Sequence, residues 1–209
     1  MPLSNAGQRD AVNMSSNDDR FKHAIAAIDD ANREDPNRET FEGTQYAKEL
    51  LYSERMSHWL DRVEPGASDA LKLAARAQHI RRWTSPRSDY PQGKRGYYQW
   101  RTSLYRFHAD EAEKILVEVG YGAETIDRVK SLLRKEKIKQ NPEMQLLEDV
   151  ICLVFLQSYF SDFARQHDEA KMITIIRKTW RKMSDRGHEV ALQLELSDGD
   201  KALIEKALG

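Results

Sequence analysis

The run from Leu146 to Phe160 is apolar nearly all the way round a helix, and this constrains the fold more than anything else in the chain. A helix at a protein surface shows one apolar stripe, so a helix without a polar face belongs at the centre of a domain, covered by other elements. Asn141 and Pro142 precede it as a capping side chain followed by proline at the first helical position, which sets where it begins. The segments that could cover it are helical too. Phe21, Ala24, Ile25 and Ile28 recur at helical spacing from about Asp18, and that helix ends at Asp35-Pro36 because the residue before a proline disfavours the α region.

A polar loop with Gly43 follows, then a helix carrying Ala47, Leu50, Leu51, Met56, Trp59, Leu60 and Val63, stopped by Pro65-Gly66. Ser68 caps a third helix containing Leu71, Leu73, Ala74, Ala75 and Ala77, which ends before Pro86. Residues from about Thr84 to Gly96 hold two prolines and two glycines and read as a long loop of the kind that carries function. Helical spacing resumes from about Thr102 to Val119, from Ala123 to about Ile138, from Asp168 to Ser184 and from Ser197 to Leu208. No useful alternating strand pattern appears. The expectation is an all-α, single compact bundle of about seven to eight helices over residues 18–209, preceded by a disordered tail over 1–17 rich in Ser, Asn, Gln and Asp.

With 33 basic and 34 acidic residues the chain has no global charge to draw it to DNA or a membrane surface. One cysteine, Cys152, lies inside the apolar run, which suits a reducing compartment. The N-terminus has no apolar leader, and no stretch approaches the roughly 20 apolar residues that span a bilayer. These features suggest a soluble, cytoplasmic protein.

His58, His79, His108 and Asp149 fall in turn on four predicted helices, and such donors are the set from which a helical protein builds a divalent or transition-metal site. Each has an ordinary explanation as well. His58 has Glu54 one turn before it, as in a surface pair. His79 follows small alanines and could be a buried imidazole bonded to a carbonyl. His108 sits early in its predicted helix beside acidic residues. Asp149 is harder to dismiss, because a carboxylate two turns inside an apolar helix needs a cation or several donors, met by a metal or by an arginine such as Arg76.

His58, the helix ending Gln78-His79-Ile80, the run His108-Ala109-Asp110-Glu111-Ala112-Glu113-Lys114-Ile115-Leu116 and Leu147-Glu148-Asp149 together resemble a diverged HD-domain protein. The resemblance spans about Glu49 to Phe160 and implies metal binding by the equivalents of His58, His79 and Asp149, with His108 opening the recurrent helix of that superfamily. The aspartate of the His-Asp pair is replaced by Ile80, and no histidines stand near Leu133-Arg134-Lys135, where the two-metal branch carries them. Glu54, Glu111 or Glu148 could supply the missing oxygen. Within the superfamily, Arg20 to Leu208 is similar to an uncharacterised family of bacterial and fungal proteins sometimes labelled as related to glutamyl-tRNA synthetase. No adenylate-binding signature or α/β pattern supports that label.

From Lys72 to Phe107 nine basic residues face one acid, Asp89, among seven aromatic residues. Arg76, Arg81, Arg82, Arg87, Lys94 and Arg95, with Tyr97 and Trp100, suit phosphate binding and base stacking. The leading expectation is a metal-dependent phosphohydrolase-like enzyme for a small phosphorylated molecule or nucleotide. Fe, Mn, Co or Zn would serve as the metal, with Glu54 and Glu148 as catalytic carboxylates. The alternatives are a non-catalytic RNA- or nucleotide-binding module using residues 81–106, and an iron oxygenase on the same scaffold.

Overall fold

A computed structural model describes the backbone of residues 6–138 and 140–209, and the side chains of residues 17–138 and 140–209. The class is all-α: the described residues form ten α-helices, two short 3-10 turns and one small hairpin. They divide into two compact units, where the sequence suggests one domain over 18–209. The first holds residues up to Glu54 together with Ser68–Arg134, and the second holds Arg55–Ala67 together with Lys135–Gly209.

In the first unit, α1 (Ala6–Arg33) packs on α3 (Asp69–Arg76) and α4 (Gly93–Glu118), and α5 (Ala123–Leu133) packs on both α3 and α4. The apolar stripes of these helices are buried, with Ala24 and Ile28 on α1, Leu71, Leu73, Ala74 and Ala75 on α3, Leu104 and Leu116 on α4, and Val129 and Leu132 on α5. Each fully buried leucine contributes roughly 1.5–3 kcal/mol, and the alanines of α3 let neighbouring helices approach closely. Ser68 caps α3 as its sequence suggests, its hydroxyl accepting from the Leu71 amide at 3.2 Å. One expectation is corrected at the N-terminus. α1 starts at Ala6, so residues 6–17 of the expected tail are helical, while residues 1–5 lie outside the described part. Polar composition discouraged a helix there, but no proline interrupts that stretch.

The polar loop around Gly43 is a hairpin of β1 (Arg38–Phe41) and β2 (Thr44–Ala47). Both central residues of its turn have positive φ, Glu42 at 49° and Gly43 at 78°, the backbone of a type I′ turn. A non-glycine residue in that region hid the turn from sequence reasoning. Asp35, fully buried, ties the hairpin to α2 (Lys48–Val63): its carboxylate accepts from the Asn37 amide at 2.9 Å and the Glu49 amide at 3.1 Å.

The long loop expected up to Gly96 ends earlier, because α4 begins at Gly93 rather than near Thr102. Arg87 closes the preceding turn by donating to the carbonyls of Tyr90, Pro91 and Gly93 at 2.9, 2.8 and 3.3 Å. Gly96 is required there: a Cβ at that position would lie 1.7 Å from the Pro91 carbonyl oxygen.

In the second unit, α6 (Pro142–Ser158) packs on α7 (Phe160–Arg165) and α9 (Asp185–Ala191), and α8 (Glu169–Trp180) packs on α10 (Asp198–Leu208). The Asn141 side chain caps α6, accepting from the Glu143 and Met144 amides at 3.0 and 3.4 Å. Met144, Leu147, Val150, Leu153 and Val154 are fully buried. Burial also pushes the Cys152 thiol up to about 12, which keeps it protonated and unreactive. No helix among the described residues is long and apolar enough to cross a membrane.

Candidate functional site

His79 stands just beyond α3, in a chain of tight turns that leads to Arg82. The turn is strained at Arg81, a non-glycine residue in the left-handed region at φ 50°. What holds it is Asn32 of α1, fully buried, whose side-chain oxygen accepts from the Arg81 amide at 3.0 Å. The strained residue thereby sets the directions of its neighbours on either side.

The His79 ring is gripped from several directions. Glu49, in the first turn of α2 and only 7% exposed, lies 3.0 Å from Nδ1 through its Oε2. Tyr52, one turn further along, stacks on the ring with centroids 3.8 Å apart and planes within 10° of parallel. Nη1 of Arg82 sits 3.2 Å from both ring nitrogens. A guanidinium can only donate, so with Glu49 ionised the consistent tautomer has Nδ1–H donating to Glu49 and Nε2 accepting from Arg82. Carboxylate, imidazole and guanidinium form one polar chain. Burial raises the Glu49 pKa, and the opposite charge of Arg82 works against that rise.

His108 on α4 completes the cluster, its ring centroid 6.0 Å from that of His79. It is 2% exposed, and its Nδ1–H donates to the Ile80 carbonyl at 2.8 Å. Burial, with the neighbouring His79 adding to it, lowers its pKa to about 3. The ring is therefore neutral at ordinary pH and its Nε2 carries a lone pair. That buried lone pair has no hydrogen-bond partner. An unpaired buried acceptor costs about 1–3 kcal/mol, so it calls for an explanation beyond packing.

The other expected site residues lie elsewhere or are occupied. Asp149 is buried on α6, but what meets it is the start of α9. Its Oδ1 accepts from the Ser184 amide at 2.8 Å and from Gln145 Nε2 at 3.1 Å, and its Oδ2 from the Ser184 hydroxyl at 2.5 Å. Gly187 is the glycine that lets the carboxylate come so near, since a Cβ there would lie 2.8 Å from its Cγ. Asp149 is thus a structural acceptor whose donors come from a backbone amide, a hydroxyl and an amide side chain. Arg76 is not its partner: it forms a bidentate pair with Asp29, at 2.6 and 2.7 Å. Glu148 is buried in an ion pair with Lys135 in the second unit, whereas the residues around His79 belong to the first. His58 is exposed in the second unit, against the edge of Trp59, and Glu54 is exposed in the first.

Of the basic residues in this segment, Arg82 is the one bonded to His79. Arg81 pairs with Glu34 and Glu111 at 3.4 and 3.7 Å, and Arg87 is spent on backbone carbonyls. Lys94, Arg95 and Tyr97 are exposed on α4, while Trp100 lies under Arg82, whose guanidinium carbon is 5.0 Å from the ring centre. Among the described residues no three His, Cys, Asp or Glu side chains gather as a group able to hold a metal ion. Two imidazoles and a carboxylate already bonded to one of them fall short of the metal site that the HD-domain resemblance implies. The iron-oxygenase alternative asks for the same kind of donor set and gains no support from it.

Glu49, Tyr52 and Asn32 are not among the site residues expected from the sequence, yet they hold the His79 turn and ring. Glu49, Tyr52, Ser53 and Met56 follow helical spacing on one buried stripe, so a carboxylate among them carries the same signal that singled out Asp149. The profile of one family, a domain of unknown function (DUF4202), matches residues 22–204, nearly the whole chain. The chain belongs to the DUF4202 family. That match takes in every residue of the cluster, from Asn32 to His108. No curated protein and no solved structure gives a significant match to the chain.

Proposed function

We propose that the cluster around His79 binds a small phosphorylated molecule, a nucleotide or a compound like one, and hydrolyses its phosphate by acid–base chemistry. The observation that carries this is the His79 ring held between buried Glu49 at 3.0 Å and Arg82 at 3.2 Å, with the unpaired acceptor of His108 beside it. Arg82 would turn its fork of donors to the phosphoryl oxygens, the geometry in which arginine binds phosphate best. His79 Nε2, released from Arg82, takes the proton of an attacking water, and Glu49 stabilises the imidazolium that forms. The oxygen–phosphorus bond to the leaving group breaks as the new one forms; the departing oxygen, in line on the far side of phosphorus, takes a proton from water, and the imidazolium gives its own back to solvent. Neutral His108 accepts a hydroxyl of the substrate or of the water. A positioned base of this kind supplies roughly a 10²–10⁴-fold acceleration.

The test is phosphate release from a panel of nucleoside mono-, di- and triphosphates, with binding followed by calorimetry. His79→Asn keeps a donor for Glu49 while removing Nε2, and Arg82→Gln removes the phosphate fork. Release by the natural protein that falls at least a hundredfold in His79→Asn, with binding lost in Arg82→Gln, is the expected result. Absence of both binding and release across the panel, or release that survives His79→Asn, overturns the proposal.

A further inference from the structure

From Tyr90 to Ala109 the chain contains no acidic residue, while Lys94, Arg95, Arg101 and Arg106 are basic. On α4 these fall into two neighbouring stripes at helical spacing, Lys94-Tyr98-Arg101-Tyr105 and Arg95-Gln99-Thr102-Arg106. Each stripe runs about 16 Å along the helix. Lys94, Arg95, Gln99, Thr102 and Arg106 are exposed. Two large aromatic rings are exposed with them, Tyr97 at 41% and Tyr98 at 54%. The rings meet edge to face with centroids 5.8 Å apart, and the Lys94 ammonium lies 6.0 Å from the Tyr98 ring centre. Arg101 is held in place by the Tyr97 and Tyr105 hydroxyls, at 3.3 and 2.7 Å.

We propose that this half of α4 is a binding face for single-stranded nucleic acid, with the cations on the phosphodiester backbone and Tyr97 and Tyr98 stacking on bases. The chemistry favours this partner over two others. A helix that lies in a membrane surface needs an apolar stripe, and the exposed rings here are tyrosines with no exposed aliphatic residue beside them. An acidic peptide would satisfy the cations but would leave two exposed aromatic faces without a planar group to cover them. Cations interleaved with tyrosine faces, with no acidic residue among them from Tyr90 to Ala109, are what sequence-tolerant single-strand binding uses. The face is a second site, separate in its residues from Glu49, His79 and His108.

Fluorescence polarisation of a labelled oligouridylate tests this directly. Binding at low salt is expected, with log K falling against log salt at a slope of about −3 for four cations on a single strand. Lys94→Glu combined with Arg95→Glu should cut the slope to about half and weaken binding more than tenfold. Tyr98→Ala should weaken it roughly five- to hundredfold, with circular dichroism unchanged because the residue is exposed. His79→Asn should leave oligouridylate binding as it is, which separates this face from the phosphate site. The proposal is overturned by a lack of binding at low salt or by binding that survives the double variant. Capture of the protein by phosphatidylserine vesicles or polyglutamate in place of the oligonucleotide overturns it equally.

Discussion

Two buried polar centres, one in each unit, solve the problem of burial in opposite ways. Asp149 in the second unit meets a backbone amide, a hydroxyl and an amide side chain, and Gly187 clears the space for them. His108 in the first unit bonds through one nitrogen and leaves the other unpaired, beside a His79 already engaged by Glu49 and Arg82. A buried group with all its partners stabilises the fold, whereas one left unpaired costs free energy and is retained for another reason. The contrast teaches that burial alone does not mark a site. What distinguishes His108 is an unfilled acceptor set beside a second imidazole that a carboxylate and a guanidinium already engage.

The contrast can be broken most severely at Asp149. Asp149→Ala should cost about 3–5 kcal/mol in urea denaturation, because it strands the Ser184 amide and hydroxyl in the interior, and it should leave nucleotide binding intact. A variant with unchanged stability would show that the carboxylate is not the structural acceptor described. Acid comes next in size. The depressed pKa of His108 means that stability is present above the unfolded value near 6.5 and is lost as the pH falls towards about 3. The loss should amount to several kcal/mol and should be largely absent in His108→Asn, as read from denaturation at a series of pH values. Glu49 has the opposite sign. Its pKa is raised, so its contribution is present at low pH and lost as the pH rises through the folded value, and Glu49→Gln should flatten that fall.

Smaller effects sharpen the comparison. Gly187→Ala forces a methyl against the Asp149 carboxylate and should cost about 1–3 kcal/mol, seen as a lower urea midpoint with an unchanged slope. Addition of EDTA should leave the melting temperature where it is, since a metal bound only by the native state would add to stability and no three His, Cys, Asp or Glu side chains gather to hold one among the described residues. A drop in melting temperature that added metal restores would bring the HD-type reading back.

Local signals in the sequence carried the helices well and the site only in part. Asn141 and Ser68 announced their helices because capping is decided within three residues. The start of α4 was hidden because Gly93 and Gly96 resemble loop residues, although Gly96 is there to admit the Pro91 carbonyl into the first turn. His79 and His108 stood out as histidines among helices. Glu49 did not, because an acid in the first turn of a helix has a routine explanation in the helix dipole. Asp149 stands out in the sequence as a carboxylate on an apolar helix, but two of its three donors come from Ser184, 35 residues further along, and no local pattern shows them.

His108→Asn, examined for nucleotide binding and urea stability in the same preparation, tests the central contrast most directly. Asparagine keeps a donor for the Ile80 carbonyl and removes the unpaired Nε2, so the unfolding free energy from urea denaturation at neutral pH should change by less than about 1 kcal/mol while nucleotide affinity falls at least tenfold. A fall in stability of several kcal/mol with nucleotide affinity intact would place His108 with Asp149, as a residue of the fold and not of the site.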